Sequence, residues 1–409
     1  MKRMIAVLLC FLLVLLSAGC KSVVPYDPTT VPTETNAPTE TEAPPVETTV
    51  MTEPVVPNPP IVAVSFHTER EDFRADDGNV IFTSSAPSLD LFAPENENIR
   101  KIVSDFAART DSSEIRDLQQ NILALANEWY TPDSGWYAYT MEQKYQAARI
   151  DSHILSLSGT VTSYSGGVHP NHYLTSVTYD LQSGKPLTLS DILCGEDSIP
   201  LLSDMVLSSL SNSGENTWLF DDYISVVLDH FDPDNPLFDC WYLSENGLVI
   251  YFSVYEISSY AAGDFVLEYP YSSLDGILDP AFLPEETGDI SGELTVQLHS
   301  GPVREDLNLI SAIYLANDGP KVLLSADGVV SNVRIETGNW GGDGSMFYVS
   351  DNLFAANVLT SDRSVLIQTI LTESNPNIRI SYETTEGEFS RYLAMDFETS
   401  ELKLLSGAK

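Results

Sequence analysis

The chain has 409 residues, of which 59 are acidic and 20 are basic, so its formal net charge is −39. Proteins that bind nucleic acid neutralise phosphates with clustered lysine and arginine side chains. The composition therefore argues against nucleic acid as a partner, and also against anionic polysaccharides and acidic lipid head groups. Two interpretations of the acidity stay open: attraction of a cationic partner, or solubility alone outside the cell.

Residues 1–20 have the pattern of a secretory signal peptide. Lys2 and Arg3 precede an apolar run that is too short to span a bilayer as a mature helix. Small residues then lead into Cys20, in a pattern that resembles the lipobox of bacterial lipoproteins, except that Ser17 stands where leucine is usual. We expect cleavage before Cys20 and acylation of its thiol, which would anchor the protein to the outer face of the bacterial cytoplasmic membrane. The alternative is an ordinary signal peptide followed by an unmodified cysteine.

Residues 21–60 are rich in threonine, proline and glutamate and lack periodic apolar positions. Such a segment buries too little apolar surface to offset the entropy of ordering its backbone. We therefore predict a disordered stalk that reaches up to about 120 Å, at about 3.1 Å per residue in the polyproline II conformation. No second long apolar stretch follows in the sequence, so we expect an anchored protein and not one that spans the membrane.

The remaining chain predicts an α+β fold, with helices packed on a mostly antiparallel sheet, followed by a smaller all-β domain. We divide it into α+β parts at 61–172 and 173–284 and an all-β part at 285–409. Predicted helices begin at Ile99 and after Asp111, where Asp111 and Glu114 would form a capping pair, and cover 200–210 and 221–230. Predicted strands cover 62–73, 79–92, 143–162, 174–181, 187–189, 238–243, 248–254, 265–269, 294–298, 322–324, 365–371, 378–382 and 392–397.

Three separated motifs, at residues 163–170, 177–193 and 247–263, resemble the extracellular domain of RsiV-type anti-sigma factors. The same motifs resemble the non-catalytic N-terminal part of PdaC-type peptidoglycan deacetylases, and the resemblance covers residues 66–278. In the RsiV-type protein this domain binds and senses lysozyme. The resemblance therefore implies a module that binds a protein or senses the cell envelope.

The sequence departs from both families in ways that limit this implication. It shows neither the cytoplasmic anti-sigma segment and transmembrane helix of RsiV-type proteins nor the H-x-x-x-H metal pair of PdaC-type enzymes. We therefore expect no enzymatic activity, no cofactor and no bound metal. His169 and His172 could form a metal-binding pair, but no third ligand stands at a useful spacing in the sequence.

The candidate partner-binding residues lie in the first and third motifs. Gly166 and Gly167 permit a tight connection between strands, and Ser165 and His169 flank them. In the third motif, Tyr255 and Tyr260 would supply contact area and a hydroxyl group, and Glu256 is a lone carboxylate. Core packing of the two tyrosines is the alternative interpretation.

Cys194 and Cys240 are the cysteines left after Cys10 and Cys20, and they form a candidate disulfide because the predicted compartment is oxidising. Residues 338–344 predict a hairpin tip, where an exposed Trp340 could stack on a sugar. The leading hypothesis is thus a surface-anchored, non-catalytic module that captures a basic protein such as lysozyme. The alternative is a cell-wall carbohydrate-binding module, which predicts retention on peptidoglycan at high salt.

Overall fold

The computed structural model describes residues 58–406, apart from 94–95, 133–134, 215, 233–239, 305–306, 342–345, 372–375, 397 and 400. The residues from Pro54 onward form one compact unit. The predicted signal peptide, Cys20 and the stalk up to residue 57 lie outside the described residues, so the expectations for them stay predictions.

The fold is a mixed α+β arrangement in which strands predominate. Its strands are β1 (Ala63–Arg74), β2 (Val80–Phe92), β3 (Tyr139–Ile150), β4 (Ile154–Tyr164), β5 (Asn171–Asp180), β6 (Lys185–Pro186), β7 (Trp241–Leu243), β8 (Gly247–Phe252), β9 (Phe265–Pro270), β10 (Leu294–His299), β11 (Leu309–Tyr314), β12 (Lys321–Ala326), β13 (Val329–Trp340), β14 (Phe347–Thr360), β15 (Ser364–Gln368), β16 (Ile378–Thr384), β17 (Gly387–Met395) and β18 (Leu402–Leu405). Its helices are α1 (Ile99–Thr110), α2 (Ser113–Trp129), α3 (Leu189–Ile192), α4 (Ser198–Asn212) and α5 (Tyr223–His230).

A central sheet of 11 strands runs through the unit in the order β18-β17-β16-β13-β14-β1-β2-β3-β4-β5-β6. Helices α1 and α2 pack on this sheet through apolar stripes at helical spacing, which bury Ile102 and Phe106 from α1 and Ile115 and Ile122 from α2. The cap of α2 differs from the prediction. Ser112, and not Asp111, is the N-cap residue, and its hydroxyl accepts a hydrogen bond from the Ile115 N–H.

The stretch predicted as strand over 143–162 is an antiparallel pair, β3 and β4. Asp151 makes the turn between them, because its carboxylate accepts hydrogen bonds from the N–H groups of His153 and Ile154 at 2.8 and 2.7 Å. Farther along, the short strand predicted over 187–189 is also different. Thr188 caps helix α3, which begins at Leu189.

The central sheet is continuous across the boundary predicted at residue 285. Strand β14 pairs with β1 in antiparallel register, with Ala63 opposite Ala356. Asn357 adds to this connection, since its side-chain oxygen accepts from the Val62 N–H at 2.8 Å and its amide donates to the Pro60 carbonyl at 3.0 Å. The strands of 285–409 therefore extend the sheet that the N-terminal strands begin.

Two smaller sheets complete the architecture. Strands β10-β12-β15-β11 form a four-stranded sheet that shares an apolar core with β13, β14, β16 and β17. Strands β7-β8-β9 form a three-stranded sheet, which shares a separate core with helices α3, α4 and α5. This second core, formed largely by residues 187–282, positions the candidate site.

Candidate functional site

The glycine-rich loop 165–170 joins β4 to β5 and projects from the end of the central sheet. Gly166 and Gly167 have backbone φ values of +93° and +103°, which residues with a side chain rarely adopt. Both positions of the loop therefore favour glycine, in line with the prediction. Ser165 is exposed, and Val168 is 99% exposed at the tip. The loop thus presents its side chains to solvent.

His169 leaves this loop and stacks on Tyr260 of the third motif. Their ring centroids lie 3.9 Å apart with an interplanar angle of 17°. The Tyr260 hydroxyl donates a hydrogen bond to the Pro170 carbonyl at 3.0 Å, and His169 Nδ1 lies 2.9 Å from the same oxygen. Residues that are 91 positions apart in the sequence therefore form one stacked pair.

His172 is engaged by a carboxylate, not by His169. Its Nε2 atom lies 2.9 Å from Asp264 Oδ2, and the other Asp264 oxygen accepts a hydrogen bond from the Val254 N–H at 3.0 Å. Among the residues that the structure describes, no group of three or more His, Cys, Asp or Glu side chains is arranged to hold a metal ion. The His172–Asp264 pair instead fastens strand β5 to the loop that carries Tyr260.

Tyr255 is the most unusual residue of the site. Its backbone φ is +70°, in the left-handed region that residues with a Cβ atom rarely adopt, and the residue is 51% exposed. Its ring centroid lies 5.8 Å from that of Tyr260. Glu256 next to it closes the local turn, because its carboxylate accepts a hydrogen bond from the Ser253 N–H at 2.8 Å. We call His169, Tyr255 and Tyr260 the aromatic patch.

A buried histidine lies behind this turn and was not singled out from the sequence. His230 is the last residue of α5, and its Nδ1–H donates to the Val226 carbonyl at 2.8 Å, which leaves Nε2 as an acceptor in the neutral ring. Among the residues that the structure describes, that buried nitrogen has no hydrogen-bond partner, and it lies 3.7 Å from a carboxylate oxygen of Glu256. Helix α5 thus ends against the turn that holds Tyr255.

The beginning of α5 is tied to the same segment, which brings an exposed apolar surface beside the aromatic patch. The Phe220 N–H donates to the Ile257 carbonyl at 2.9 Å. On α5, Ile224 and Leu228 share one face at i, i+4 spacing and are 48% and 50% exposed. Trp218, just before the helix, is 55% exposed. We call Trp218, Phe220, Ile224 and Leu228 the apolar helix face.

Acidic residues flank both surfaces in the sequence. The acidic residues next to them in the chain are Asp221, Asp222, Asp229, Glu256 and Asp264. Apolar positions at i, i+4 normally indicate a core-facing helix stripe, so the sequence alone does not reveal that Ile224 and Leu228 face solvent. The exposure of this stripe and the contacts of His172 and His230 had no sequence signal.

The two cysteines of the candidate disulfide are not joined to each other. The Cys194 thiol donates to the Leu278 carbonyl at 3.3 Å, at a backbone bridge between Leu193 and Leu278. Cys240 lies at the start of the hairpin of β7 and β8, where its carbonyl accepts from the Tyr251 N–H. The prediction failed because sequence spacing carries no information on whether two thiols meet in space.

Trp340 ends β13 at the predicted hairpin, but its ring is occupied by packing. The indole N–H donates to the Pro376 carbonyl at 2.9 Å. The ring packs edge-on against Phe347 and tilted against Tyr392, with centroid distances of 5.4 and 4.7 Å. This arrangement leaves little of the ring available as a stacking platform.

The comparisons with known proteins identify a domain of undefined function. Residues 190–272 match the family described as "Protein of unknown function (DUF3298)". The chain is similar to a DUF3298 protein from Bacteroides fragilis, with 16% identity, 54% of this chain and 95% of that chain covered, and a TM-score of 0.40. The chain is also similar to a DUF3298 protein from Pseudomonas aeruginosa, with 14% identity, 57% of this chain and 99% of that chain covered, and a TM-score of 0.36. A comparison with curated proteins gave no match.

The DUF3298 segment includes helices α4 and α5, the three-stranded sheet, and both Tyr255 and Tyr260. Within the described part of the chain, no helix has the length and apolar character needed to cross a membrane.

Proposed function

We propose that this chain is an extracytoplasmic, lipid-anchored and non-catalytic module that captures a cationic protein, as the resemblance to RsiV-type sensing domains implies. The observation that carries the proposal is Tyr255, an exposed aromatic residue held in a left-handed backbone conformation. It stands beside the stacked pair of His169 and Tyr260. Cys20 would carry the anchor, and the stalk 21–60 would hold the module away from the membrane.

The conformation of Tyr255 is costly to the free protein. A left-handed backbone costs a residue with a Cβ atom about 1–2 kcal/mol, and a half-exposed ring recovers only part of this through burial. Contact with a partner accounts for such a residue, because tyrosine contributes a large and rigid contact area with a hydroxyl group. The hydrogen bond that the Ser253 N–H donates to the Glu256 carboxylate holds the turn in place before a partner arrives.

The apolar helix face adds the second part of the proposed contact surface. Protein interfaces combine an apolar centre with a polar rim, and clustered exposed apolar residues often mark such interfaces. Here the centre would be Trp218, Ile224, Leu228 and Tyr255, and the rim would be the acidic residues around them. The complementary partner has an apolar patch bordered by lysine and arginine, and lysozyme is the partner that the family resemblance suggests.

The alternative, capture of wall carbohydrate by Trp340, has less support. Its indole N–H is bonded to the Pro376 carbonyl, and its ring packs on Phe347 and Tyr392.

A titration with lysozyme tests the proposal. Residues 21–409, which contain the whole compact unit, are titrated by calorimetry at about 20 and 150 mM salt. We expect binding that persists at the higher salt. Tyr255→Ala and Leu228→Asp should each weaken it by about 30-fold, the effect of losing an interface residue worth about 2 kcal/mol.

Tyr314→Ala is the matched control, because Tyr314 is similarly exposed, at 57%, but lies on β11 of the four-stranded sheet. This variant should bind like the wild type. Cytochrome c, a basic protein of unrelated fold, serves as the control ligand. Equal binding of lysozyme and cytochrome c that disappears at 150 mM salt would show only nonspecific charge attraction and would overturn the proposal.

A further inference from the structure

A cleft of about 240 Å³ lies between the central sheet and the three-stranded sheet. Its floor is a row of polar residues on β3 and β4, namely Lys144, Gln146, Ser158 and Thr160, and its wall includes Tyr242 and Val266 from β7 and β9. The cleft involves none of the residues of the aromatic patch or the apolar helix face.

Hydrogen bonds join the two sheets and form a line of contact beside the cleft. The Leu243 N–H donates to the Ser156 hydroxyl at 3.1 Å, and the Ser176 hydroxyl donates to the Trp241 carbonyl at 2.5 Å. Ser158 and Thr160 follow Ser156 on the same face of β4, since alternate residues of a strand share a face. These two residues line the cleft beyond the line of contact.

The charge of this cleft differs from that of the whole molecule. In a chain with a net charge of −39, no carboxylate is among the described residues that line the cleft. Its one cation, Lys144, already interacts with Glu142 and Asp351 at 3.2 and 3.4 Å and donates to the Ser350 carbonyl. The lining therefore suits an uncharged ligand.

Tyr242 provides a hydrogen-bonding group that the fold leaves unused. Within the described part of the chain its hydroxyl has no hydrogen-bond partner. Burial raises the pKa of this hydroxyl, so it remains a donor at neutral pH. Opposite it, Gln146 donates to the Ser158 hydroxyl at 3.3 Å, which leaves the amide oxygen of Gln146 and the hydroxyl of Thr160 to accept or donate.

From this combination we infer that the cleft binds one ring of an uncharged sugar, with the apolar face of the ring against Tyr242 and Val266. The hydroxyl edge of the ring would face Gln146, Ser158 and Thr160. An apolar wall with a few convergent polar groups is typical of small-molecule sites, and the volume lies below the roughly 300–1,000 Å³ of sites for drug-sized ligands. A single ring of a longer glycan fits that size. This inference is independent of the proposed protein capture.

The test is a calorimetric titration of residues 21–409 with tri-N-acetylchitotriose, a soluble uncharged glycan. For a bound ring of about 15 non-hydrogen atoms we expect a dissociation constant on the order of 1 mM. It should not change between about 20 and 500 mM salt, because no charge pairing is involved. Glucosamine, a cationic sugar, should bind no more tightly.

Two variants at one position identify the site. Tyr242→Phe removes only the hydroxyl and should weaken binding about fivefold, and Tyr242→Ala should weaken it at least tenfold. Tyr255→Ala should leave glycan binding unchanged, so failure of protein capture and failure of glycan binding are distinguishable. Absence of binding at 20 mM glycan, or equal affinity of the wild type and both Tyr242 variants, would overturn the inference.

Discussion

Substitutions at Tyr255 can separate the effect of backbone strain on stability from the effect of the side chain on partner binding. Because Tyr255 has a φ of +70°, Tyr255→Gly should relieve about 1 kcal/mol of strain and lose a similar amount through the greater freedom of the unfolded chain. We expect an unfolding free energy within about 1 kcal/mol of the wild type, measured by urea denaturation. Lysozyme binding should nevertheless fall as far as in Tyr255→Ala.

The comparison variant is Tyr255→Val, since a β-branched side chain is poorly tolerated in the left-handed region. It should lose about 1–2 kcal/mol of stability as well as binding. If Tyr255→Gly instead loses more than about 2 kcal/mol, the ring is a structural contact and the functional interpretation of the strain is wrong.

Glu245 gives the fold a dependence on pH that can be assigned to one residue. It lies in the turn between β7 and β8, 3.1 Å from Arg334 on β13. Burial raises its pKa to about 7, although the nearby Arg334 and Arg149 oppose the increase. The folded state therefore binds this proton more tightly than the unfolded state, in which a glutamate titrates near its usual value of about 4.3.

The sign of the effect follows by linkage. The stabilisation is complete below about pH 4 and is lost as the pH rises through about 7, because the unfolded state gives up its proton first. In urea denaturation the unfolding free energy should fall between pH 5 and pH 8. Glu245→Gln, which cannot ionise, should lose this part of the slope. If the unfolding free energy of Glu245→Gln falls with pH as steeply as that of the wild type, groups other than Glu245 cause the pH dependence.

At the scale of elements, the sequence predicted those helices and hairpins whose positions depend on local sequence patterns. The hairpin of β1 and β2 has its Asp77-Gly78 turn, and helices α1, α2, α4 and α5 lie close to their predicted positions, because apolar period and turn residues are local signals. The long strands β13 and β14 were missed. The residues of β14 alternate poorly because much of this strand, including 353–359, is buried on both faces.

The candidate site was predicted only in part, because its arrangement depends on tertiary contacts that a local sequence pattern does not show. The two motifs that carry His169 and Tyr260 were identified, but their stacking depends on a tertiary contact between residues that are 91 positions apart. The solvent exposure of Ile224 and Leu228 likewise depends on what packs against α5, and a spacing of i, i+4 is the same for a buried and an exposed stripe.

Arg149 connects elements that are far apart in the sequence. It is 1% exposed, and its guanidinium bonds to Asp151 at 2.6 and 2.8 Å and donates to the carbonyls of Phe282 and Leu283 at 2.6 and 2.9 Å. The segment 282–283 leaves the DUF3298 region for the C-terminal strands. Arg149 therefore fixes the path of the chain between these two regions.

Arg149→Met should lower the unfolding free energy by about 3–5 kcal/mol, because it leaves the Asp151 carboxylate buried without its charged partner. The measurement is urea denaturation followed by tryptophan fluorescence. Arg391→Met is the control, since Arg391 bonds to a carbonyl at the exposed surface, and it should change stability by less than about 1 kcal/mol. A small loss for Arg149→Met would mean that the chain path does not depend on this residue.

At the scale of the whole molecule, the pairing of β1 with β14 decides whether residues 61–284 can fold alone. β1 has β2 on one side and β14 on the other. Removing residues 285–409 would leave the edge of β1 unpaired and would uncover Ala63 and Val64, both of which are buried. It would also remove Asn357, which satisfies the Val62 N–H and the Pro60 carbonyl.

We therefore expect residues 21–284 to form no stable monomer, since an exposed edge strand with apolar neighbours promotes association. Residues 21–409 should unfold in one transition that coincides by fluorescence and circular dichroism. Asn357→Ala in the full-length unit tests the same connection without truncation, and should cost about 1–3 kcal/mol because it leaves a buried N–H unsatisfied. A monomeric 21–284 fragment with its own cooperative transition would instead show that the domain boundary predicted at residue 285 separates independent folding units, although the sheet crosses it.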